Sequence, residues 1–118
     1  MKNYDNLFLP TENLEESKKF YSEILELPIK FDFASQGMIA FKVGNEEPAI
    51  ILKDKSKFPD AKPAIWIEVE NVKEIYDKLK IKGVQFQSAP FKIRTGWAVE
   101  FLDPTGNLLG FADYNNKE

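Results

Sequence analysis

The sequence contains no cysteine and no histidine in 118 residues. The first absence excludes disulfides, thiolate nucleophiles and cysteine-ligated zinc. The second removes the commonest transition-metal ligand and the commonest general base at neutral pH, so metal binding or proton transfer would fall to carboxylates. Arginine occurs once, at Arg94, among 16 basic residues. Neither sign of charge is gathered into a block. Lysines and acidic residues interleave to a formal net charge of −3, which leaves no electrostatic footprint for nucleic acid. Long apolar runs are missing as well: MKNYDNLFLP opens with one lysine and a short apolar run, and no segment approaches the roughly 20 apolar residues that span a bilayer. The expectation is a cytoplasmic protein with no membrane contact.

What is present suits a compact domain. With 43% hydrophobic and 14% aromatic residues, the chain can bury a core without covalent staples. Its plan is duplicated. TENLEESKKFYSEIL from Thr11 resembles VENVKEIYDKLKIKG from Val69, and Glu12-Asn13-Leu14 precedes Glu70-Asn71-Val72 by 58 residues. In each copy the Asn is a candidate N-cap, with Glu16 or Glu74 three residues on, a variant of the capping box. The first helix carries Leu14, Ser17, Tyr21, Ile24 and Leu25 on one stripe and ends before Pro28; the second carries Val72, Ile75, Tyr76 and Leu79 and stops at Gly83. Each is one-sided and must cover a sheet.

Strand-like stretches surround the helices: NLFLPT, IKFDF, GMIAFKV and PAIILK in the first half, AIWIEV, VQFQSAP, GWAVEFLD and NLLGFADY in the second. Each half therefore reads β-α-β-β-β. The expected organisation is one α+β domain over residues 1–118, with module one at about 1–53, a connector at 54–63 and module two at about 64–118. The connector is charged and carries two prolines; it reads as a linker or as a flap over a site. Between the last two strands, Asp103-Pro104-Thr105-Gly106-Asn107 marks a tight hairpin turn.

Two such modules, SKKFY in the first helix and a closing FLDPTGNLLGF resemble the vicinal oxygen chelate superfamily, which includes glyoxalase I, extradiol dioxygenases, and the fosfomycin and bleomycin resistance proteins. The resemblance implies a curved mixed sheet around a cleft, the glyoxalase/bleomycin resistance fold. In metal-dependent members, His or Glu from the first and last strands of each module hold a divalent ion. The corresponding positions here are Asn6, Ala64 and Gly110, with a fourth near Ile50 or Leu52. Ala and Gly side chains have no lone pairs to offer, and an Asn carbonyl is a poor substitute alone. The expectation is no metal and no cofactor, closest to the bleomycin-resistance-like branch, whose members are homodimers.

Strand alternation suggests which side chains face the cleft. Ala64, Trp66 and Glu68 share one side of AIWIEV, Asn6 and Phe8 one side of NLFLPT, Ala98, Glu100 and Leu102 one side of GWAVEFLD, and Leu108, Gly110 and Ala112 one side of the last strand. Trp66 offers a flat surface for a planar or cationic ligand, or else is a core or dimer-interface aromatic. Glu68 and Glu100 supply negative charge or a carboxylate base, unless they simply line a solvated strand face. Arg94 can clamp a carboxylate or phosphate, or face water. Phe33 and Phe41 are candidate pocket liners, whereas Tyr21 and Tyr76 lie on helix core stripes.

Three functions fit these residues. The first is a metal-independent binder of a small molecule, an antibiotic or another aromatic or cationic ligand. The second is a lyase, isomerase or dioxygenase-type enzyme using carboxylates, with Glu68, Glu100 or Asp32 holding a hard ion or moving a proton. The third is a module that recognises a peptide or protein.

Overall fold

In the computed structural model, which describes residues 1–116, both asparagines cap helices as the repeat predicts. Asn13 Oδ1 accepts from Glu16 N at 3.0 Å, and Asn71 Oδ1 accepts from Glu74 N at 3.1 Å. The first half runs β1 (Tyr4–Thr11), α1 (Leu14–Lys19), β2 (Ile29–Phe33), β3 (Met38–Lys42) and β4 (Ala49–Asp54). The second runs β5 (Ala64–Glu68), α2 (Val72–Ile81), β6 (Gln85–Phe86), β7 (Phe91–Lys92), β8 (Trp97–Leu102) and β9 (Leu108–Ala112). The class is α+β, with mixed strand pairing and few helices. No helix is long and apolar enough to cross a membrane. The chain packs as two compact units, one of residues 6–63 and one of Met1–Asp5 with the chain from Ala64 onward.

In the unit of residues 6–63 the strand order is β2-β3-β4-β1, with β1 parallel to β4 and the other pairs antiparallel. Registers Leu9↔Leu52 and Ile39↔Leu52 bring the apolar set of three strands onto one face, where Leu14 of α1 covers it. Phe41 belongs to that set. It is 0% exposed and its ring stacks on Tyr21 at 5.3 Å, so it is a core residue and not the pocket liner the sequence suggested. The reason is parity: Phe41 shares its face with Ile39, while Met38 and Ala40 take the other.

The first helix also departs from expectation. It gives way after Lys19 to a π-helical turn, Phe20–Ile24, closed by Leu25 N donating to Phe20 O at 3.0 Å. This wider turn rotates the next residues off the core stripe. Ile24 is 70% exposed and Leu25 is exposed too, so the buried stripe ends at Tyr21. Ser17 turns its hydroxyl to Thr11 Oγ1 at 2.6 Å.

The start of the connector is anchored. Lys57 N and Phe58 N both donate to Asp54 O at 2.9 Å, and Asp54 N donates to Gly37 O at 2.8 Å. Gly37 has φ 87°, and a Cβ there would sit 2.8 Å from Lys57 Cγ. Only glycine combines that dihedral with that closeness.

In the other unit the order is β5-β9-β8-β6, with β7 also pairing β8. Val69, Val72, Val99 and Phe111 form its core under α2, joined by Ile75, Tyr76 and Leu79 of the expected helix stripe. Asp113 ties this core together. It is 1% exposed and accepts from Val72 N at 2.7 Å, Trp97 N at 2.9 Å and Asn115 N at 3.1 Å, so one carboxylate links the start of α2 to β8 and the chain after β9. Burial alone would push its pKa up, but those backbone donors outweigh it and hold the group below the usual carboxylate range.

The first five residues join this unit, although the sequence reading placed them in module one. Lys2 N donates to Glu68 O at 2.9 Å and Glu68 N to Asn3 O at 2.8 Å. The stretch VQFQSAP yields only the two-residue β6.

Candidate site on the helix-free sheet faces

Each unit has a sheet face turned away from its helix, and cross-strand register arranges that face in rows. In the second unit Trp66 pairs with Gly110, and Gly110 pairs with Glu100, so the three stand side by side on β5, β9 and β8. With no side chain between them, the indole lies across Gly110 and reaches the carboxylate: Trp66 Nε1 donates to Glu100 Oε2 at 3.0 Å. A Cβ built on Gly110 would stand 2.5 Å from both Cδ1 and Nε1 of the indole. Phe91 of β7 approaches the indole edge-on, with ring centroids 6.5 Å apart. The next row is Glu68, Ala112, Ala98 and Phe91. Ala98 and Ala112 in that row are themselves fully buried.

Alternation thus places Trp66, Glu68 and Glu100 on one face, as the sequence reading has them. Trp66, however, is only 7% exposed. It is a fixed part of the floor, not an exposed stacking surface. Lys2 Nζ lies 3.8 Å from Glu68 and 3.3 Å from Glu70. Arg94 is exposed in the turn between β7 and β8, where Ile93 N donates to Gly96 O.

In the other unit one helix-free row is Phe8, Ile51, Ala40 and Phe31; the next is Pro10, Lys53, Met38 and Phe33. Phe8 is buried, and Phe31 and Phe33 stack at 4.8 Å. The Lys53 ammonium stands 4.7 Å from the Phe8 ring centroid and 5.1 Å from that of Phe58. Asp32, the other carboxylate considered for a hard ion, is bonded to Lys18 Nζ at 3.0 Å.

The four positions that correspond to metal ligands do not fit a metal. Asn6 Oδ1 accepts from Ala49 N at 3.1 Å. The position on β4 that faces this way is Ile51; Ile50 and Leu52 share a parity with the helix-covered face, which corrects the register read from sequence. Ala64 has no donor atom, and the space above Gly110 is filled by indole. Among the described residues no cluster of His, Cys, Asp or Glu stands where it could hold a metal ion.

The turn that closes the β8–β9 hairpin is built on Asp103. Its carboxylate accepts from Asn107 Nδ2 and Asn107 N at 2.9 Å and from Thr105 N at 3.0 Å, which lowers its pKa, Asn107 contributing most. Its neighbour β9 thereby sets Gly110 between Trp66 and Glu100. The sequence profile of the Glyoxalase/Bleomycin resistance protein/Dioxygenase superfamily matches residues 3–111.

The chain belongs to that superfamily. Its fold agrees: a hypothetical protein from Bacillus halodurans C-125 superposes with a TM-score of 0.72 at 20% identity, covering 98% of this chain and 96% of that one. Methylmalonyl-CoA epimerase of Streptomyces coelicolor, solved in complex with 2-nitronate-propionyl-CoA, superposes at 0.74 with 14% identity, covering 100% and 98%. In sequence the chain is 35% identical to the Bacillus subtilis (strain 168) protein YurT over 65 residues, 55% of this chain. That match spans about half of YurT, 51% of its length.

Two features escaped the sequence reading. One is the indole–carboxylate bond across Gly110, which needs strand order as well as parity. The other is Asp113, whose only sequence signal is a polar residue at the end of an apolar strand.

Proposed function

We propose that this superfamily member is a metal-independent small-molecule binding protein, nearest in chemistry to the bleomycin-resistance-like branch. One observation supports it above others: the indole of Trp66 fills the space over Gly110 where a ligating side chain would have to stand. The helix-free face of the second unit presents the aromatics Trp66 and Phe91 with the carboxylates Glu68 and Glu100. Such a set suits an aromatic or cationic ligand held by stacking and a few polar contacts. Proton transfer by a carboxylate is the alternative, but Glu100 Oε2 is already engaged by the Trp66 N–H at 3.0 Å. We take the working form to be a homodimer in the cytoplasm; light scattering on the purified protein checks the dimer, and cell fractionation the location.

The deciding experiment is a thermal-shift screen, with and without EDTA, against bleomycin-type drugs, aromatic antibiotics, glutathione adducts and fosfomycin. A ligand that raises the melting point equally in EDTA is the expected result, by linkage of binding to folding. Stabilisation by a divalent ion that EDTA abolishes would overturn the proposal and favour the enzyme.

A further inference from the structure

We propose that the helix-covered side of the second unit carries an anion site, in which Lys73 and Lys92 bridge a phosphate dianion, free or as the end of a monoester, beside the Trp97 ring. The site lies on the opposite face of the sheet from Trp66 and Glu100 and does not depend on the binding function proposed above.

Three elements bring these residues to one ring. Trp97 begins β8 and packs against the core under α2. Lys92 of β7 stands directly opposite it in the register, so the two side chains share a face of the sheet. Lys73 comes from the first turn of α2. Its ammonium lies 3.6 Å from the indole centroid, and that of Lys92 lies 5.5 Å from the same point.

Two like charges gathered at one ring repel each other, and an exposed cation–π contact is weak compensation. Carboxylates are plentiful in this chain, where acidic residues outnumber basic ones 19 to 16. Asp77 even stands four residues beyond Lys73, the spacing of a helical ion pair. Yet among the described residues neither ammonium has a carboxylate or hydrogen-bond partner. Each keeps three N–H donors for an acceptor that the chain itself does not supply. A dianion matches the two positive charges, and its several oxygens can accept from both ammoniums at once, whereas a carboxylate brings one charge against two. Arg94, two residues beyond Lys92 in the adjoining turn, adds to the positive potential there.

The test titrates wild type, Lys73→Gln, Lys92→Gln and the double variant with inorganic phosphate at about pH 8, where phosphate is mostly dianionic. Sodium chloride of matched ionic strength is the control. The readout is the pair of indole N–H signals from the two tryptophans in proton–nitrogen correlation spectra, assigned through the backbone. Phosphate should move the Trp97 signal saturably and leave that of Trp66 in place. Each single variant should weaken binding about tenfold, as fits the loss of one charge-assisted hydrogen bond, and the double variant should not saturate. Both lysines are exposed, so the variants should fold as wild type does by circular dichroism.

A Trp97 signal that phosphate leaves unmoved, that chloride moves equally, or that saturates unchanged in the double variant overturns the site. Phenyl phosphate distinguishes the two sources of the dianion: tighter binding than inorganic phosphate identifies a monoester, and equal or weaker binding identifies the free ion. The binder proposal fails separately. Phosphate binding at Trp97 with no hit in the screen keeps the anion site and sinks the binder, whereas a screen ligand that binds the double variant as it binds wild type, with Trp97 unmoved by phosphate, does the reverse.

Discussion

Asp113→Asn should destabilise the protein far more than its conservative chemistry suggests. The carboxylate takes Trp97 N and Asn115 N on Oδ1 and Val72 N on Oδ2. An asparagine has one carbonyl oxygen, so its NH2 must face at least one of these N–H donors. The better orientation keeps Trp97 and Asn115 and abandons Val72, the first residue of α2. Hydrogen bonds to a charged acceptor contribute about 1.5–3 kcal/mol, and a buried donor left unpaired costs about 1–3 kcal/mol. The expected loss is about 2–4 kcal/mol, or a fall in Tm of about 10 °C for a chain of this size.

Acid titration separates charge from shape. The folded pKa of Asp113 lies below its unfolded value of about 3.9, so its contribution is complete above that value and is lost as pH falls through the folded pKa. Urea denaturation at pH 7 and at several points below pH 5 measures both effects. The variant should lose stability less steeply in acid than wild type. A loss under about 0.5 kcal/mol at pH 7, within the range of ordinary surface substitutions, would refute the hub. So would an unchanged acid slope.

Three further outcomes are expected. Gly37→Ala meets Lys57 Cγ at 2.8 Å with φ at 87°, and should cost about 1–3 kcal/mol in urea denaturation; a neutral result would mean the turn rearranges freely. Phe41→Ala should cost about 3–5 kcal/mol while leaving the affinity of any screened ligand unchanged in the folded fraction, because its ring faces the helix; a ligand-specific loss of affinity would return Phe41 to the site. Gly110→Glu and Trp66→Ala should be coupled by about 1 kcal/mol or more in a double-mutant cycle of stabilities, and additive losses would show that the indole does not occupy the space above residue 110.

Much of the fold was legible because it is local. The caps at Asn13 and Asn71 declare themselves by type and spacing, and the single Glu inside each of AIWIEV and GWAVEFLD, Glu68 and Glu100, sets the parity of β5 and β8. Where no polar residue marks a face the reading failed. PAIILK is apolar on both faces, so nothing in it shows that Ile51 and not Ile50 or Leu52 faces away from the helix. GMIAFKV has the same ambiguity and misplaced Phe41. Ile24 and Leu25 satisfy a helical stripe in sequence, yet the π-helical turn at Phe20 rotates them outward. In the site, parity found Trp66, Glu100 and Gly110 separately. Their union depends on the order β5-β9-β8, a property of the sheet and not of any one strand.

The 58-residue repeat turns these single positions into a comparison between two copies of one plan. Phe8 and Trp66 are 58 residues apart and occupy the same place on the first strand of each half. Opposite Phe8 stands Ile51; opposite Trp66 stands Gly110. The larger aromatic thus accompanies the residue with no side chain, and the smaller one accompanies a branched aliphatic. That is the pattern of volume conservation across a packed pair. Gly110 is therefore more than a missing ligand, since its vacancy is compensated by the indole and the indole is in turn fixed by Glu100. A carboxylate introduced at 110 alone would have to expel a buried, hydrogen-bonded ring before it could point anywhere. Only removal of Trp66 in the same chain frees that space, and this is why the two substitutions cannot act independently.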